Sequence, residues 1–592
     1  MLGAGRRLSV VRSAGECAQF LTGLQAVTLR IAFEARAASH SEPRGSLREV
    51  ARLAHVRLLS DAAVAFSKKG NTLLFGWAFR RSDNRACDEL GDDEAREIEA
   101  RGAEWAVKHL WGNYLLAWKE PAGDVHVLRS PVTGPALFFA EDGACAFSHL
   151  EIGKAMGLSL DRLDPAAIDA QLRFPILRGP ATGIAMVREL LAGETLMMGS
   201  PAVVRQAWSP WSFTVRPPVE ASLDELRRHV MSAVGAWSTR FERVQLELSG
   251  GLDSSIVAAS LARTRATWRA VTLVTRRPDG DERRYAHAVA DHADIALLEI
   301  LLNAAPPDPL AALGEPRVRP GGFGLIDESD IRLCEAAEGY GAGAIFTGVG
   351  GDNLFGYIIS AAPVVDALRF AGLGAAWRAA SDLGRLTNTH MLEAWRFAIR
   401  RLLKRPPPWP RDERFLASRH ASTVPEHPWF ADASAASDGQ RAYVGMLMRI
   451  LPFLDGYDRA FHVPVIAPLL SQPLVEYGLG VPVWQWSAGG HDRSLARKAF
   501  AGDLPALVLQ RRTKGGLESL FVPAYDRNRA HLRDFLQEGL LAALGIIDCD
   551  AIGAATARPA GALDNDYVRI LQLVDMERWA RSVAGAPTAG GQ

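Results

Sequence analysis

The sequence predicts an α/β protein in two parts: a sheet-rich N-terminal domain, then a doubly wound parallel sheet with added C-terminal helices. Three observations carry this reading. Val244, Leu246 and Leu248 alternate with polar residues as in a short strand, and Ile256, Val257, Leu261 and the alanines between them follow as a helix. Ala344 to Asn353 repeats the pattern of a strand ending in a glycine turn, and strands alternating with helices imply a parallel, doubly wound sheet. Between about 55 and 205, short apolar runs alternate with turns: Thr72 to Trp77, Tyr114 to Trp118, Val125 to Leu128 and Ala136 to Phe139.

Composition sets the outer limits. At 592 residues the chain exceeds the ~250–300 residues over which one core grows, so two or more domains are expected. A 48% hydrophobic and 23% charged composition is that of a soluble globular protein. Basic and acidic residues are equal at 67 each, so no net field argues for nucleic acid or an anionic membrane. Cys17, Cys87, Cys145, Cys334 and Cys549 are scattered and lack CxxC spacing. Neither a disulfide framework nor a zinc site follows, and a reducing cytoplasm is the expected location. No apolar run approaches the ~18 residues that span a bilayer, so no integral membrane segment is expected. The arginine-rich first forty residues lack the clean apolar core of a signal peptide.

Taken in order, residues 1 to about 50 are rich in Ala and Arg and say little. Helical stretches are expected near 93–109 and 166–173. Trp208 to Pro218 reads as a linker, placed at 208–220 between domains at 1–207 and 221–592. Ser222-Leu223-Asp224-Glu225 is a capping box, opening a helix whose Leu223, Leu226, Val230 and Val234 share a face. Beyond the central strand and helix come an apolar strand, Ala270 to Val274, and Asp281 to Ala286 leading into a further helix. After 360 the patterning is mostly helical, broken at Arg405 to Pro410, which reads as a solvent loop.

Chemistry concentrates in glycine turns. The paired glycines of Ser249-Gly250-Gly251-Leu252-Asp253-Ser254-Ser255 permit a tight turn whose free N–H groups face an anion, and the serine hydroxyls add donors. In a doubly wound sheet ligands sit at the carboxyl ends of strands, where this loop and the one carrying Asp352 both fall. Two carboxylates brought together over phosphates repel unless a cation lies between them. Asp253 and Asp352 are therefore candidate ligands of a magnesium ion. Thr347-Gly348, at a strand end, lets a nucleotide base or ribose approach the backbone. Arg493 and Arg497 stand four apart on one face of a helix beginning after Gly489-Gly490. Only eight of the 67 basic residues are lysines, and beyond Lys154 only Lys404, Lys498 and Lys514 remain. Lys514, on the glycine-rich stretch Arg511 to Gly516, is the candidate cation for an oxyanion and for departing pyrophosphate.

The first loop resembles the pyrophosphate loop of N-type ATP pyrophosphatases, which cleave ATP between the α and β phosphates. Together with Asp281-Glu282, Thr347 to Asp352, Arg493 to Arg497 and Arg512 to Gly516, it resembles the synthetase half of the asparagine synthetase family, over about residues 60 to 580. That family makes an acyl-adenylate from a carboxylate and ATP, then lets an amine displace AMP. The resemblance implies ATP contacts from Leu248, Ser249, Gly250, Gly251, Leu252, Asp253, Ser254, Ser255, Val274, Gly348 and Asp352. It also implies Mg2+ at Asp253 and Asp352, and catalytic roles for Lys514, Arg493 and Arg497. In the N-terminal part, Trp111 to Tyr114, Arg129 to Gly134 and Leu191 to Glu194 resemble the glutamine amidotransferase domain of B-type asparagine synthetases, an Ntn-type αββα sandwich. Its chemistry needs a cysteine at the mature N-terminus, whereas Leu2 follows Met1 and Cys17 precedes Ala18. A degenerate domain is expected, serving as scaffold or docking surface.

Departures from the family pattern narrow the expected chemistry. Asparagine synthetases carry Thr-Gly-Glu-Gly-x-Asp-Glu at the second loop; here Val349 replaces the first glutamate and Asn353 the second. They have Lys-x-x-Leu-Arg where this chain has Arg493 to Arg497. Pro468 to Glu476, Gly489 to Arg493 and Arg511 to Gly516 look most similar to lasso-peptide macrolactam synthetases. In those enzymes an Asp or Glu side chain of a precursor is adenylated and the peptide's own N-terminal amine attacks, so no glutaminase is needed. The implied partners are a ribosomal precursor (core) peptide, a leader-peptide protease and a leader-recognition protein. The same motifs leave open an asparagine synthase fed by glutamine or ammonia, and a β-lactam synthetase-like ligase for small molecules.

Overall fold

The computed structural model describes residues 30–35, 47–61, 66–214, 220–275, 281–302, 307–311, 313, 316–321, 324–404, 406–417, 423–431, 433, 436–512, 518–561 and 565–585. Leu2, Cys17, residues 215–219 of the expected linker, and Lys514 lie outside them.

The N-terminal strands are β1 (Ala32–Ala35), β2 (Arg48–Leu53), β3 (Val56–Ser60), β4 (Phe66–Lys69), β5 (Thr72–Arg80) and β6 (Leu110–Lys119). They continue as β7 (Val125–Arg129), β8 (Leu137–Ala140), β9 (Cys145–Phe147), β10 (Val187–Leu190), β11 (Glu194–Met198) and β12 (Val203–Gln206). Two antiparallel sheets result, ordered β10-β8-β9-β1-β3-β2 and β12-β11-β7-β6-β5-β4. Alternating residues from both sheets meet in one core, where Phe33 of β1 stands edge-on to Phe75 of β5 at 6.0 Å. The helices α1 (Asp92–Arg101) and α2 (Ala103–His109) cover one outer face through Ile98 and Trp105. On the other face α3 (Leu150–Ala155) and α4 (Pro165–Arg173) pack Ile152 and Ile168 in a core with Leu59 and Phe147. This layering is compatible with the expected αββα sandwich. The helical stretch expected near 93–109 is present as α1 and α2, parted where Gly102 turns at φ 57° and a Cβ would lie 2.8 Å from the Trp118 ring.

The second half opens with α5 (Leu223–Ser238), capped by Ser222 Oγ, which accepts from Glu225 N at 3.2 Å. Leu226, Val230 and Val234 are buried as the helical period requires, whereas Leu223, in the first turn, is exposed. There follow β13 (Arg243–Glu247), α6 (Leu252–Leu261), β14 (Thr267–Val274), α7 (Arg283–Ala293) and β15 (Leu297–Leu301). Then come α8 (Asp327–Tyr340), β16 (Ala344–Phe346), α9 (Gly351–Leu354) and, much later, β17 (Val465–Ile466). The sheet order is β15-β14-β13-β16-β17, all parallel. The chain winds outward from β13 through β14 and β15, then restarts on the other side with β16. The order thus reverses between β13 and β16, opening a crevice at their carboxyl ends.

The remaining helices include α10 (Ala362–Thr387), α11 (Met391–Leu403), α12 (Asp438–Ile450), α13 (Gln472–Gly480) and α14 (Ser494–Ala499). The longest of the C-terminal ones are α15 (Glu518–Gln537) and α16 (Asp566–Ala584). Among the described residues no helix is long and apolar enough to cross a membrane.

The halves are joined by burial. One core runs from Leu74 and Leu116 of the second antiparallel sheet to Leu246 of β13 and Ile256 of α6, with Trp237 of α5 edge-on to Phe79 at 5.0 Å. Trp208 is 3% exposed, and its Nε1 donates to Glu476 Oε1 at 2.9 Å. The proline-rich break is an exposed loop at Pro406, Pro407, Pro408 and Pro410, as expected, but it is pinned at one residue. Its Trp409 is 2% exposed, donates from Nε1 to the Pro175 carbonyl at 3.0 Å and stacks beneath Arg449. The prolines give the segment its polar, helix-breaking look, while one aromatic ring anchors it to the N-terminal half.

Glu189 of β10, fully buried, is gripped by Arg129 at 2.5 Å, Arg178 at 2.6 Å and Arg319 at 2.7 Å; Arg178 also meets Asp455 at 2.5 Å. Burial alone raises this carboxyl, but the three guanidinium groups outweigh it and bring Glu189 down to about 2. Its contribution to stability is therefore complete above the ordinary carboxylate value of 4.5 and is lost as pH falls from there through 2. Glu189→Gln strands buried arginines without their counter-charge and is expected to cost about 3–5 kcal/mol at neutral pH. In urea denaturation the gap between parent and variant should narrow as the medium is acidified below that ordinary value; a constant gap counts against the ion-pair account.

Candidate active site

The loops after β13 and β16 interlock through glycines. Gly250, at φ 68°, passes so close to α7 that a Cβ would lie 2.5 Å from Ala286 N. Gly348 lies against the first turn of α6, where a Cβ would stand 2.8 Å from Ser254 Cα, and one on Gly351 would stand 2.8 Å from Asp253 Oδ1. The two loops can touch backbone to backbone only because no side chain intervenes. Within the first loop, Ser255 is fully buried and donates to the Gly251 carbonyl at 2.7 Å, fixing the turn. The Ser249 and Ser254 hydroxyls face each other at 3.3 Å. Leu248 and Leu252 are buried at 0% and 3% exposure, so they offer the crevice only main chain. Val274 ends β14 beside β13, and the turn at 347–350 follows β16, so these residues line three adjacent strand ends.

Interlocking brings Asp253 and Asp352 to one cation. Arg493 Nη1 bonds Asp253 Oδ2 at 3.2 Å and Asp352 Oδ1 still more closely, while Nη2 holds Asp492 Oδ2 at 2.6 Å. Burial works against this guanidinium, but Asp253, Asp352 and Asp492 together hold it above its ordinary value. Arg493 is not in the regular helix, as the sequence suggests; it is the residue before α14, with φ 52° in the left-handed region. That turn aims its side chain at the acid pair, with the Asp492 carboxylate between it and Arg497.

Arg497 faces elsewhere. Nε donates to the Asp492 carbonyl at 2.9 Å, Nη2 to Asp492 Oδ1 at 2.8 Å and to the Arg511 carbonyl at 3.1 Å. Nη1 serves the carbonyls of Leu509 at 2.9 Å and Val508 at 3.3 Å. All five N–H donors are spent within the chain. A catalytic role does not match these surroundings; Arg497 clamps the turn that leads into 513–517. Beside it, Arg511 pairs with Glu282 and stacks on the Tyr285 ring at 4.0 Å, next to Gly250. Asp492, which ties Arg493 to Arg497, was missed from the sequence. Its one signal is an acid immediately before the two arginines.

The departures at the second loop have separate consequences. Asn353 donates to the Met446 carbonyl at 2.6 Å and so holds α9 to α12. Val349 instead lines a cavity of about 620 Å3 together with Thr347. Its other walls include Trp77 and Asn113 of the antiparallel sheets, Thr133 of the turn after β7, and Trp429.

A crevice at the strand-order reversal, walled by a glycine turn at a helix start, suits phosphate, and its acid pair suits a hard cation. Residues 225–581, more than half of the chain, match the asparagine synthase family. The chain belongs to the asparagine synthase family. Its members are ATP-dependent, AMP-forming carbon–nitrogen ligases, so this protein is an amide-forming enzyme that uses ATP. No curated protein matches the chain. Among the described residues no group of three or more His, Cys, Asp or Glu is placed to hold a metal, so an ion at the acid pair would take its further ligands from elsewhere, such as water or phosphate. The Asp253–Asp352 pair fits that need, since magnesium is usually bound by one or two carboxylates plus phosphate and water.

Gly348→Ala tests the interlock. Forcing a methyl against the Ser254 backbone costs about 1–3 kcal/mol, and if the strain opens the crevice ATP affinity falls ~10- to 100-fold. Equilibrium nucleotide binding by calorimetry, with thermal unfolding as the control for global damage, reads this directly. Unchanged affinity would show that the loops need not touch.

Proposed function

We propose that this ligase closes a macrolactam on a ribosomal peptide, joining an Asp or Glu side chain to the peptide's own N-terminal amine. The observation that favours a peptide over aspartate is the apolar Val349 at the second loop, opening onto a cavity of about 620 Å3 beside Thr347. A glutamate here would place a charge where the cavity begins; valine leaves room for a bulky acyl donor.

On this reading the β and γ phosphates lie against the N–H groups at Gly251 to Ser255 and the hydroxyls of Ser249 and Ser254. Asp253 and Asp352 would hold Mg2+, whose charge would offset that of the phosphates. Arg493, displaced from the acid pair, turns toward the phosphates, and Lys514 offers an ammonium to the oxyanion formed on amine attack. The substrate carboxylate attacks the α phosphate, pyrophosphate departs, and the amine then displaces AMP. The N-terminal sheets, read as a degenerate Ntn-type sandwich, form one wall of the substrate cavity. Their described thiols, Cys87 and Cys145, are pushed up by burial to about 11 and about 12, so neither is an activated nucleophile. A leader-peptide protease and a leader-recognition protein would supply the trimmed precursor in the cytoplasm.

Incubation with ATP and a linear core peptide should give AMP, pyrophosphate and a product lighter by one water; ADP as coupled product overturns the reading. Pyrophosphate release driven by free aspartate, with asparagine formed, would identify an asparagine synthase instead. Asp253→Asn and Asp352→Asn are each expected to lower adenylation by ~10²-fold or more. Lys514→Ala should cut turnover by ~10²–10³ with little effect on binding, and Lys514→Arg should restore it only in part. Lys498→Ala is the control, and its failure in place of Lys514→Ala would show that the wrong lysine was chosen.

A further inference from the structure

We propose that the α10–α11 hairpin is a docking face for an anionic lipid surface. Thirteen large hydrophobic side chains are exposed among the described residues, and seven of them sit on these two helices. The hairpin is built inside out. Its inner seam is made of small residues, Ala376 and Ala380 of α10 with Ala394 and Ala398 of α11, while Leu392 is 63% exposed, Ile399 51% and Leu403 83%. Spaced by seven and four, those three fall on one line along α11, opposite its buried alanines. Trp395, one turn along, lies 6.4 Å from Trp377, which is 56% exposed and continues the apolar strip onto α10.

Cations border the strip. Arg396, Arg400 and Lys404 run beside it at helical spacing, and residues 362–404 hold seven basic residues against three acids. One of those acids, Asp366, is buried and bonded to Ser437 and Gly439. The chain-wide balance of 67 against 67 hides this local excess. An apolar stripe carrying leucine and tryptophan, flanked by arginine and lysine, matches a helix lying in the headgroup boundary of an anionic bilayer. The same cationic border repels a second copy of itself, which disfavours a symmetric dimer through this face. Nothing in the proposal depends on which amide the enzyme makes.

The test is co-sedimentation of the full chain with phosphatidylcholine vesicles, with and without phosphatidylglycerol. Pelleting is expected only with phosphatidylglycerol, and should fade as salt is raised. Arg396→Gln with Arg400→Gln should weaken binding about 30-fold, each cation contributing as basic residues near an anionic surface do. Leu392→Ser with Leu403→Ser should abolish it, while ATP-dependent pyrophosphate release stays at the parent level in both variants. No binding to anionic vesicles, or equal binding by the variants, overturns the proposal. So does concentration-dependent dimerisation that the leucine substitutions abolish, because a second copy would then be the occupant.

Discussion

Asp253 and Asp352 are held within reach of one another at the mouth of the parallel sheet, and two carboxylates so placed need a cation between them. The fold creates this demand through topology. β13 and β16 are neighbours, yet the chain leaves them in opposite directions, so their loops meet at the strand ends instead of being carried apart. Glycines then remove the side chains that would hold the loops at a distance. Arg493 answers the charge, and every arrangement around α14 serves to deliver it: a left-handed turn at Arg493, Asp492 as brace, Arg497 as clamp. A guanidinium that bonds both acids through one nitrogen is a replaceable partner. It offsets part of the charge that the two carboxylates bring together.

Much of this was legible in the sequence because its determinants are local. Val244 to Leu261 encodes strand, glycine turn and helix within eighteen residues, and Ala344 to Asn353 does so again in ten. Alternation in Thr72 to Trp77 and Tyr114 to Trp118 marked strands that pair directly in the second sheet, Thr72 opposite Trp118. Even the meeting of Asp253 and Asp352 followed, since two such loops in a parallel sheet share one end.

What was not legible depends on partners far along the chain. Arg493 and Arg497 look like one helical face until the backbone turns between them, and nothing in Gly489 to Arg497 announces that turn. Arg497 reads as a free cation until its five donors are matched with carbonyls at 508–511 and with Asp492. Trp409 sits in a proline run that resembles a solvent loop, and only the carbonyl of Pro175 reveals it as an anchor. Overall neutrality gave no hint that Glu189 is ringed by arginines or that α10 and α11 concentrate cations. A sum over the chain erases spatial segregation.

That segregation bears on how the two halves work together. Glu476 of α13 is nearly buried and accepts from Arg81 and from Trp208 Nε1, while Gln472, one turn earlier, donates to the Val107 carbonyl at 2.9 Å. Arg569 of α16, also buried, donates to the Leu172 carbonyl at 2.7 Å. Together with the Glu189 cluster these contacts bind the antiparallel sheets to the ligase domain at widely separated points. Glu189 and Glu476 are buried and paired with arginines, so opening the interface would strand both carboxylates, at a cost well beyond a single hydrogen bond. The cavity between the halves has its shape set as much by Trp77 and Asn113 of the antiparallel sheets as by Thr347 and Val349 beside the crevice.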